Sequence, residues 1–217
     1  MRFVVTAGPT REAIDPVRFI SNRSSGKMGY AIAEAALAKK HQVTLISGPA
    51  AITPPRDADL ITITTADELD HAVHRSIRRC DVFVMCAAVS DYKPAASSAR
   101  KLKKQKTAFA LKLIPTRDIL ASLPKRRRFA VIGFAAETHD LKIHAQKKLR
   151  AKNCDAIVAN DVSGTETGME SDENEVTIFF RDGEIKKISR ASKKKIAREL
   201  VKIFEKIFEK GLTKKSW

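Results

Sequence analysis

Apolar residues along this chain follow two rhythms. Short, nearly unbroken apolar runs such as Phe3-Val4-Val5 and Val82-Phe83-Val84-Met85 alternate with longer stretches in which apolar residues recur every three or four positions. The runs predict strands over 2–7, 42–47, 60–64, 81–87, 129–134 and 155–159, and the periodic stretches predict helices over 26–40, 66–79, 138–152 and 191–209. Strands separated by helical segments imply right-handed β-α-β units and a parallel sheet covered on both faces. The expected class is therefore α/β, a doubly wound and mostly parallel sheet. Two regions break the rhythm. Residues 88–118 hold no helical pattern, and the alternation in Thr107-Ala108-Phe109-Ala110-Leu111-Lys112-Leu113-Ile114 predicts a strand outside the main sheet. Residues 174–188 read as a hairpin around Asp182-Gly183, before the C-terminal helix.

Composition narrows the classes. A chain of 217 residues with 43% hydrophobic content suits one globular domain over 1–217 with a full core. No apolar run approaches the ~18 residues needed to span a bilayer, so no membrane is expected. The N-terminus enters a strand directly without a signal pattern, and the three cysteines follow no metal-ligand or C-x-x-C spacing. Both points suit a reducing cytoplasm. A net charge of +16 favours polyanionic ligands, but aromatic content is only 6%, with no interleaving that would stack bases. Nucleic acid is accordingly not expected, and Lys125-Arg126-Arg127-Arg128 reads as a solvated basic loop.

The chemistry concentrates behind the strands. After the first strand comes Ile20-Ser21-Asn22-Arg23-Ser24-Ser25-Gly26-Lys27-Met28-Gly29, a Ser/Gly turn opening a helix. Bare N–H groups and the positive end of a helix dipole make such a turn an anion site, with Gly26 and Gly29 allowing close approach and Ser24 supplying a hydroxyl. The spacing is neither G-x-G-x-x-G nor a P-loop, and the second strand ends Leu45-Ile46-Ser47-Gly48 with no acidic residue for a ribose. Those two facts disfavour a nicotinamide-dependent oxidoreductase. In open α/β sheets ligands bind beyond the carboxyl ends of the strands. The segments there are Cys86-Ala87-Ala88-Val89-Ser90-Asp91, Gly133-Phe134-Ala135-Ala136-Glu137 and Ala159-Asn160-Asp161. Asp91 lies ten residues before Lys101-Leu102-Lys103-Lys104, an arrangement in which lysines fold over a phosphate chain beside a carboxylate-held cation. Lys148 and Lys152, at i and i+4, share one helix face.

In order and spacing, T-A-G-P-T-R-E, D-P-V-R-F-I-S-N-R-S-S-G-K-M-G, C-A-A-V-S-D-Y, K-L-K-K, G-F-A-A-E-T, A-N-D-V and S-D-E-N-E-V resemble phosphopantothenoylcysteine synthetase over about residues 3–200. In many bacteria that enzyme is the C-terminal half of a bifunctional protein fused to a flavin-dependent decarboxylase, and this sequence resembles the synthetase alone, with a separate decarboxylase acting on the product. The resemblance implies a Rossmann-like fold, a homodimer, a cytoplasmic location and an Mg²⁺-dependent ligation of 4′-phosphopantothenate and L-cysteine in coenzyme A biosynthesis. Carboxylate activation as an acyl-nucleotidylate releases pyrophosphate, and the cysteine amine then displaces the nucleoside monophosphate. The resemblance is to the CTP-using branch, so CTP is expected over ATP.

Residue by residue, the resemblance places Asn22 on the acyl carbonyl, with Arg18 nearby as a further substrate contact, and Lys101 on a mobile flap over the intermediate. It places Ser24, Gly26 and Gly29 at the phosphates, Met85, Cys86 and Ala87 at the base, and Asp91 near sugar or metal. Arg117, Asp118, Ile119, Leu120, Phe134, Lys148 and Lys152 complete the nucleotide contacts, with Lys101 contributing there too. Two stretches depart from the family pattern: Thr116-Arg117-Asp118-Ile119, where a proline often precedes the aspartate, and Gly168-Met169-Glu170-Ser171, where a Phe-Gly-Ser run is common.

Overall fold

The computed structural model describes residues 1–104, 106–137, 140–161 and 171–213, without the side chains of Glu137 and Asp161. Most of the Gly168–Ser171 departure thus lies outside the described residues. The first half contains β1 (Arg2–Ala7), β2 (Arg11–Ala13), β3 (Phe19–Ser21), α1 (Lys27–Ala38), β4 (Gln42–Ser47), β5 (Asp59–Thr62), α2 (Ala66–Ser76) and β6 (Val82–Met85). The second contains β7 (Tyr92–Pro94), β8 (Leu113–Pro115), α3 (Ile119–Ser122), β9 (Ala130–Glu137), α4 (Leu141–Ala151), β10 (Ala156–Asp161), β11 (Glu173–Phe180), β12 (Ile185–Ser192) and α5 (Lys193–Thr213).

Eight strands form one sheet in the order β12-β11-β10-β9-β6-β1-β4-β5. The six from β10 to β5 run parallel, and β11 and β12 extend the β10 edge antiparallel. Numbered among themselves, the parallel strands lie 3-2-1-4-5-6, the doubly wound dinucleotide-fold order, which reverses between β1 and β6. The expected α/β, Rossmann-like sheet is therefore present, and its C-terminal hairpin is part of the sheet itself.

Each face of the sheet carries its own core. On one, α1 and α5 cover Phe3, Val5, Leu45, Val82, Val84, Ile132 and Val158; on the other, α2, α3 and α4 cover Val4, Ile46, Phe83, Val131 and Ile157. Alternation along β1 sends Val4 to one layer and Phe3 and Val5 to the other. α1 presents small residues inward, and a Cβ at Gly29 would lie 2.6 Å from Ala7 Cβ and 3.0 Å from the Thr6 carbonyl. Only glycine lets the helix sit this close to β1. α2 starts on a capping box, in which the Thr65 hydroxyl accepts from Glu68 N–H while Glu68 reaches back to the Thr65 N–H.

Two elements differ from expectation for visible reasons. The 107–114 strand shrinks to Leu113–Pro115, which pairs with Tyr92–Pro94 of the same chain. Backbone hydrogen bonds run one residue past each end, from the Ala95 N–H to the Lys112 carbonyl and from the Thr116 N–H to the Asp91 carbonyl, both at 2.9 Å, and the apolar alternation before Lys112 forms no ladder. The strand expected over 81–87 stops at Met85 because the next N–H groups turn to a side chain of β1.

Candidate active-site cleft

A cleft of about 930 Å³ opens beyond the carboxyl ends of β1, β6 and β9, at the point where strand order reverses. Its floor is set by Thr6, fully buried on β1. The Thr6 hydroxyl oxygen accepts from the N–H groups of both Cys86 (3.1 Å) and Ala87 (3.0 Å). The Ala88 N–H donates to the Gly8 carbonyl at 2.9 Å, and the Thr10 N–H to the Ala88 carbonyl at 3.1 Å. The segment after β6 is thereby laced to the segment after β1. Its amides are engaged with protein, so the N–H groups of Cys86 and Ala87 are already committed when anything enters. Burial pushes the Cys86 thiol up to about 12. A thiol protonated at neutral pH is wall, not nucleophile.

One side of the cleft is the start of α1. Its N-cap is Gly26 at φ +80°, where an added Cβ would meet Ala50 Cβ at 3.2 Å and the Gly8 nitrogen at 3.3 Å. The left-handed backbone and the crowding both require glycine. Gly26 brings no capping oxygen, so an anion approaches a helix start with no side-chain cap at Gly26. Just upstream, Asn22 donates from Nδ2 to the Val89 carbonyl at 2.9 Å, joining this wall to the β6 side. Asn22 is not a helix cap.

The opposite side comes from α3, α4 and the end of β9. Asp118 caps α3 by accepting from the Ala121 N–H at 2.9 Å and is ion-paired with Lys152. Burial works against its carboxylate, but the Lys152 ammonium and the Ala121 N–H outweigh it and hold the pKa below the ordinary value. Lys148 donates to the Phe134 carbonyl at 2.7 Å. Arg117 reaches back to Asp70 of α2 at 3.0 Å, a partner that the proline of the family pattern would not take. Thr116 ties the loop to the β6 side through its hydroxyl on the Ser90 carbonyl at 2.6 Å.

The cleft therefore collects Asn22, Ser24, Gly26, Gly29, Met85, Cys86, Ala87, Asp91, Arg117, Asp118, Ile119, Leu120, Phe134, Lys148 and Lys152. It does not collect Arg18 or Lys101. These line a separate depression of about 460 Å³ with Val17, Leu102, Lys103 and Lys104. The link there is Asp15, whose buried carboxylate accepts from Arg18 Nη2 at 2.6 Å and from the Leu102 N–H at 3.1 Å, while Arg18 Nη2 also donates to the Leu102 carbonyl at 2.6 Å. Burial opposes ionisation of Asp15, but the Val17 and Leu102 N–H groups and Arg18 overcome it and hold its pKa far below the usual range. The lysine segment is thus moored at Leu102 to the turn between β2 and β3, away from the cleft floor. Sequence reasoning missed Thr6, Asn174, His144, Lys147 and Lys193. Lys193 stands in a Lys-Lys-Lys run, where charge patterning cannot tell a buried lysine from a solvated one.

Among the described residues no cluster of three or more His, Cys, Asp or Glu is arranged to hold a metal. Asp91 is an exposed carboxylate at the cleft, and Asp118 is already paired with Lys152. That donor set fits Mg²⁺, which commonly takes one or two protein carboxylates and completes its shell with substrate phosphates and water.

Residues 1–208 match the family described as the DNA/pantothenate metabolism flavoprotein C-terminal domain. The chain is 46% identical over 200 residues to the coenzyme A biosynthesis bifunctional protein CoaBC of Bacillus subtilis, covering 91% of this chain and 49% of that protein. It is 43% identical over 189 residues to CoaBC of Escherichia coli K12, covering 85% and 47%. It therefore spans about half the length of the curated relatives it matches. The crystal structure of a CoaBC C-terminal domain superposes with a TM-score of 0.81 at 41% identity, over 96% of each chain. A Cab2 H337A mutant in complex with phosphopantothenate-cysteine shares the fold, with a TM-score of 0.78 at 17% identity over 100% of this chain and 89% of that one. By sequence match and by fold, the chain belongs to the family of the DNA/pantothenate metabolism flavoprotein C-terminal domain.

Proposed function

We propose that this chain is a phosphopantothenate–cysteine ligase of coenzyme A biosynthesis, working through an acyl-nucleotidylate. The observation that carries the reading is the union, in one cleft, of a helix-start anion site at Ser24–Gly29 with the Asn22 amide and the segment Met85–Ala87, laced to Thr6. Joining a carboxylate to an amine requires a leaving group on the acyl carbon. Attack of the carboxylate oxygen on the α-phosphorus of a nucleoside triphosphate supplies one and expels pyrophosphate. The chain's part in that step is positioning and neutralising charge. The α1 start and the nearby lysines meet the phosphates, and a divalent cation held at Asp91 and the phosphate oxygens would neutralise further charge. In the second step the Asn22 amide polarises the acyl carbonyl as the cysteine amine adds, and the nucleoside monophosphate leaves.

CTP is the proposed nucleotide. Cytosine and adenine both carry an exocyclic amine, so preference would come from pocket size. Purified protein mixed with 4′-phosphopantothenate, cysteine, Mg²⁺ and CTP or ATP should release pyrophosphate, faster with CTP. No release with either triphosphate overturns the reaction, and comparable kcat/KM with both overturns the base preference alone.

A homodimer belongs to the same proposal, on a different footing from the sequence expectation. The strand at Leu113–Pro115 pairs on one side with Tyr92–Pro94 of the same chain, so the unpaired 107–114 strand of the sequence expectation shrinks to the short outer edge of a two-stranded sheet. What remains is exposed apolar surface at Val17, Phe19, Tyr92, Phe109 and Leu113, on and beside the two small hairpins β2–β3 and β7–β8. A second copy would cover it around a two-fold. Light scattering at micromolar concentration should give a dimer for the natural chain and a folded monomer for Phe19→Lys/Tyr92→Lys. A monomeric natural chain contradicts the proposal.

A further inference from the structure

Asparagine is mostly an exposed residue, because its amide carries an acceptor oxygen and two N–H donors that each need a partner. Asn174 on β11 is only 4% exposed, yet it lines the cleft. Alternation along β11 puts Asn174, Val176 and Ile178 on one face, and the two apolar members pack in the layer covered by α1 and α5. β11 runs antiparallel to β10, so this row ends in Asn174 at the carboxyl end of the parallel strands, where the cleft opens. The register of the ladder with β12 shifts between Asn174 and Val176, an irregularity of the kind that re-aims a side chain.

The amide is oriented by its own backbone. Asn174 Oδ1 accepts from the Glu175 N–H at 2.9 Å, and in a planar carboxamide that also fixes the direction of the nitrogen. Nδ2 finds no acceptor among the described residues. It is not sealed in the interior as Asp70 Oδ1 and Ser90 Oγ are, so its donors open into the cleft. The start of α1 stands close by. Asp172, two residues upstream, pairs its carboxylate with Lys27 of the first helical turn at 2.7 Å, which holds the entrance of β11 against the Ser24–Gly29 turn.

We propose that Asn174 is a phosphate-binding residue of the cleft, donating from Nδ2 to the polyphosphate of a nucleoside triphosphate from the β11 side while the Ser24–Gly29 turn meets it from the α1 side. This rests on reading the cleft as a nucleoside triphosphate site. With Oδ1 committed to the Glu175 N–H, the side chain has only donors left to offer, and phosphate oxygens only accept. The contact is the same for every triphosphate, so Asn174 adds affinity without choosing between bases.

Calorimetric titration of the full chain with CTP, ATP and inorganic tripolyphosphate, for the natural protein, Asn174→Asp and Asn174→Leu, tests this. Asn174→Leu removes the donor without adding charge and should bind all three roughly tenfold more weakly, the scale of one hydrogen bond to a charged group. Asn174→Asp still accepts from the Glu175 N–H, so its ligand-free Tm should stay near that of the natural protein. It turns a carboxylate toward the phosphates, however, and should lose roughly a hundredfold. The ratio of CTP to ATP affinity should not move in either variant. In the pyrophosphate-release assay the KM for CTP should rise while the KM for cysteine holds. Binding of CTP and tripolyphosphate by both variants as tight as by the natural protein overturns the assignment. So does a lower Tm in both variants with equal rises in the KM for CTP and for cysteine, the pattern of a purely structural asparagine. If the natural chain itself binds none of the three ligands, the nucleotide reading of the cleft falls and Asn174 falls with it, an outcome distinct from failure at Asn174 alone.

Discussion

Asn22→Asp should still activate 4′-phosphopantothenate, releasing one equivalent of pyrophosphate, and should then stall. Capture by cysteine is expected to slow by roughly 10²–10³-fold, the loss that follows removal of one donor at a developing oxyanion. The substitution keeps size and shape but replaces the Nδ2 donor by a charged oxygen. That oxygen would face the Val89 carbonyl, which now accepts from Nδ2 at 2.9 Å, and would stand near a phosphoanhydride. The acyl-nucleotidylate should therefore accumulate and be recoverable after acid quench. Lys101→Gln should behave differently. Lys101 lies outside the cleft floor, so its effect depends on the segment moored at Leu102 closing over the ligand, and both half-reactions should slow together. Normal turnover by Asn22→Asp with a merely lower Tm would show that Asn22 serves only to tie the α1 entrance to the β6 side.

Much of this architecture is legible in the sequence because burial on both faces writes a plain signal. Strands such as Val43–Ser47 and Val82–Met85 sit between two covering layers and so read as continuous apolar runs, and the helices between them show a three-to-four periodicity. The Ser/Gly turn is legible for a related reason: Gly26 at φ +80° and Gly29 against Ala7 are positions where only glycine fits. The small hairpins are less so. β2, β3, β7 and β8 have three residues each, too few for an alternation to stand out, and the Phe109 region that does alternate makes no ladder. Distance along the chain hides the rest. Nothing local to Arg117 announces Asp70, and nothing local to Lys193 announces Cys86 or the start of α1.

Thr6 is the sharpest case of a site residue invisible to local reading, and its replacement carries the second large expectation. In sequence it is one more β-branched residue in a strand, and Val would serve β-propensity equally well. In the fold its fully buried hydroxyl oxygen receives two N–H groups, those of the half-buried Cys86 and Ala87, from a segment eighty residues away. Thr6→Val takes the partner from both part-buried donors, at a cost of up to about 1–3 kcal/mol each. For a domain of this size a Tm lower by roughly 5–15 °C is expected. The functional consequence should exceed the thermal one. With the lacing cut, the backbone of Cys86 and Ala87 is no longer held in place, so triphosphate affinity should fall even at temperatures where Thr6→Val is fully folded, while affinity for tripolyphosphate, which carries no base, should hold. Thr6→Ser keeps the accepting oxygen and should restore base-dependent affinity, with only the small stability loss of a missing methyl. A Thr6→Val protein that binds CTP as the natural chain does would mean that the segment after β6 holds its shape through its bonds to Gly8 and Thr10 alone, and that the base is read elsewhere in the cleft.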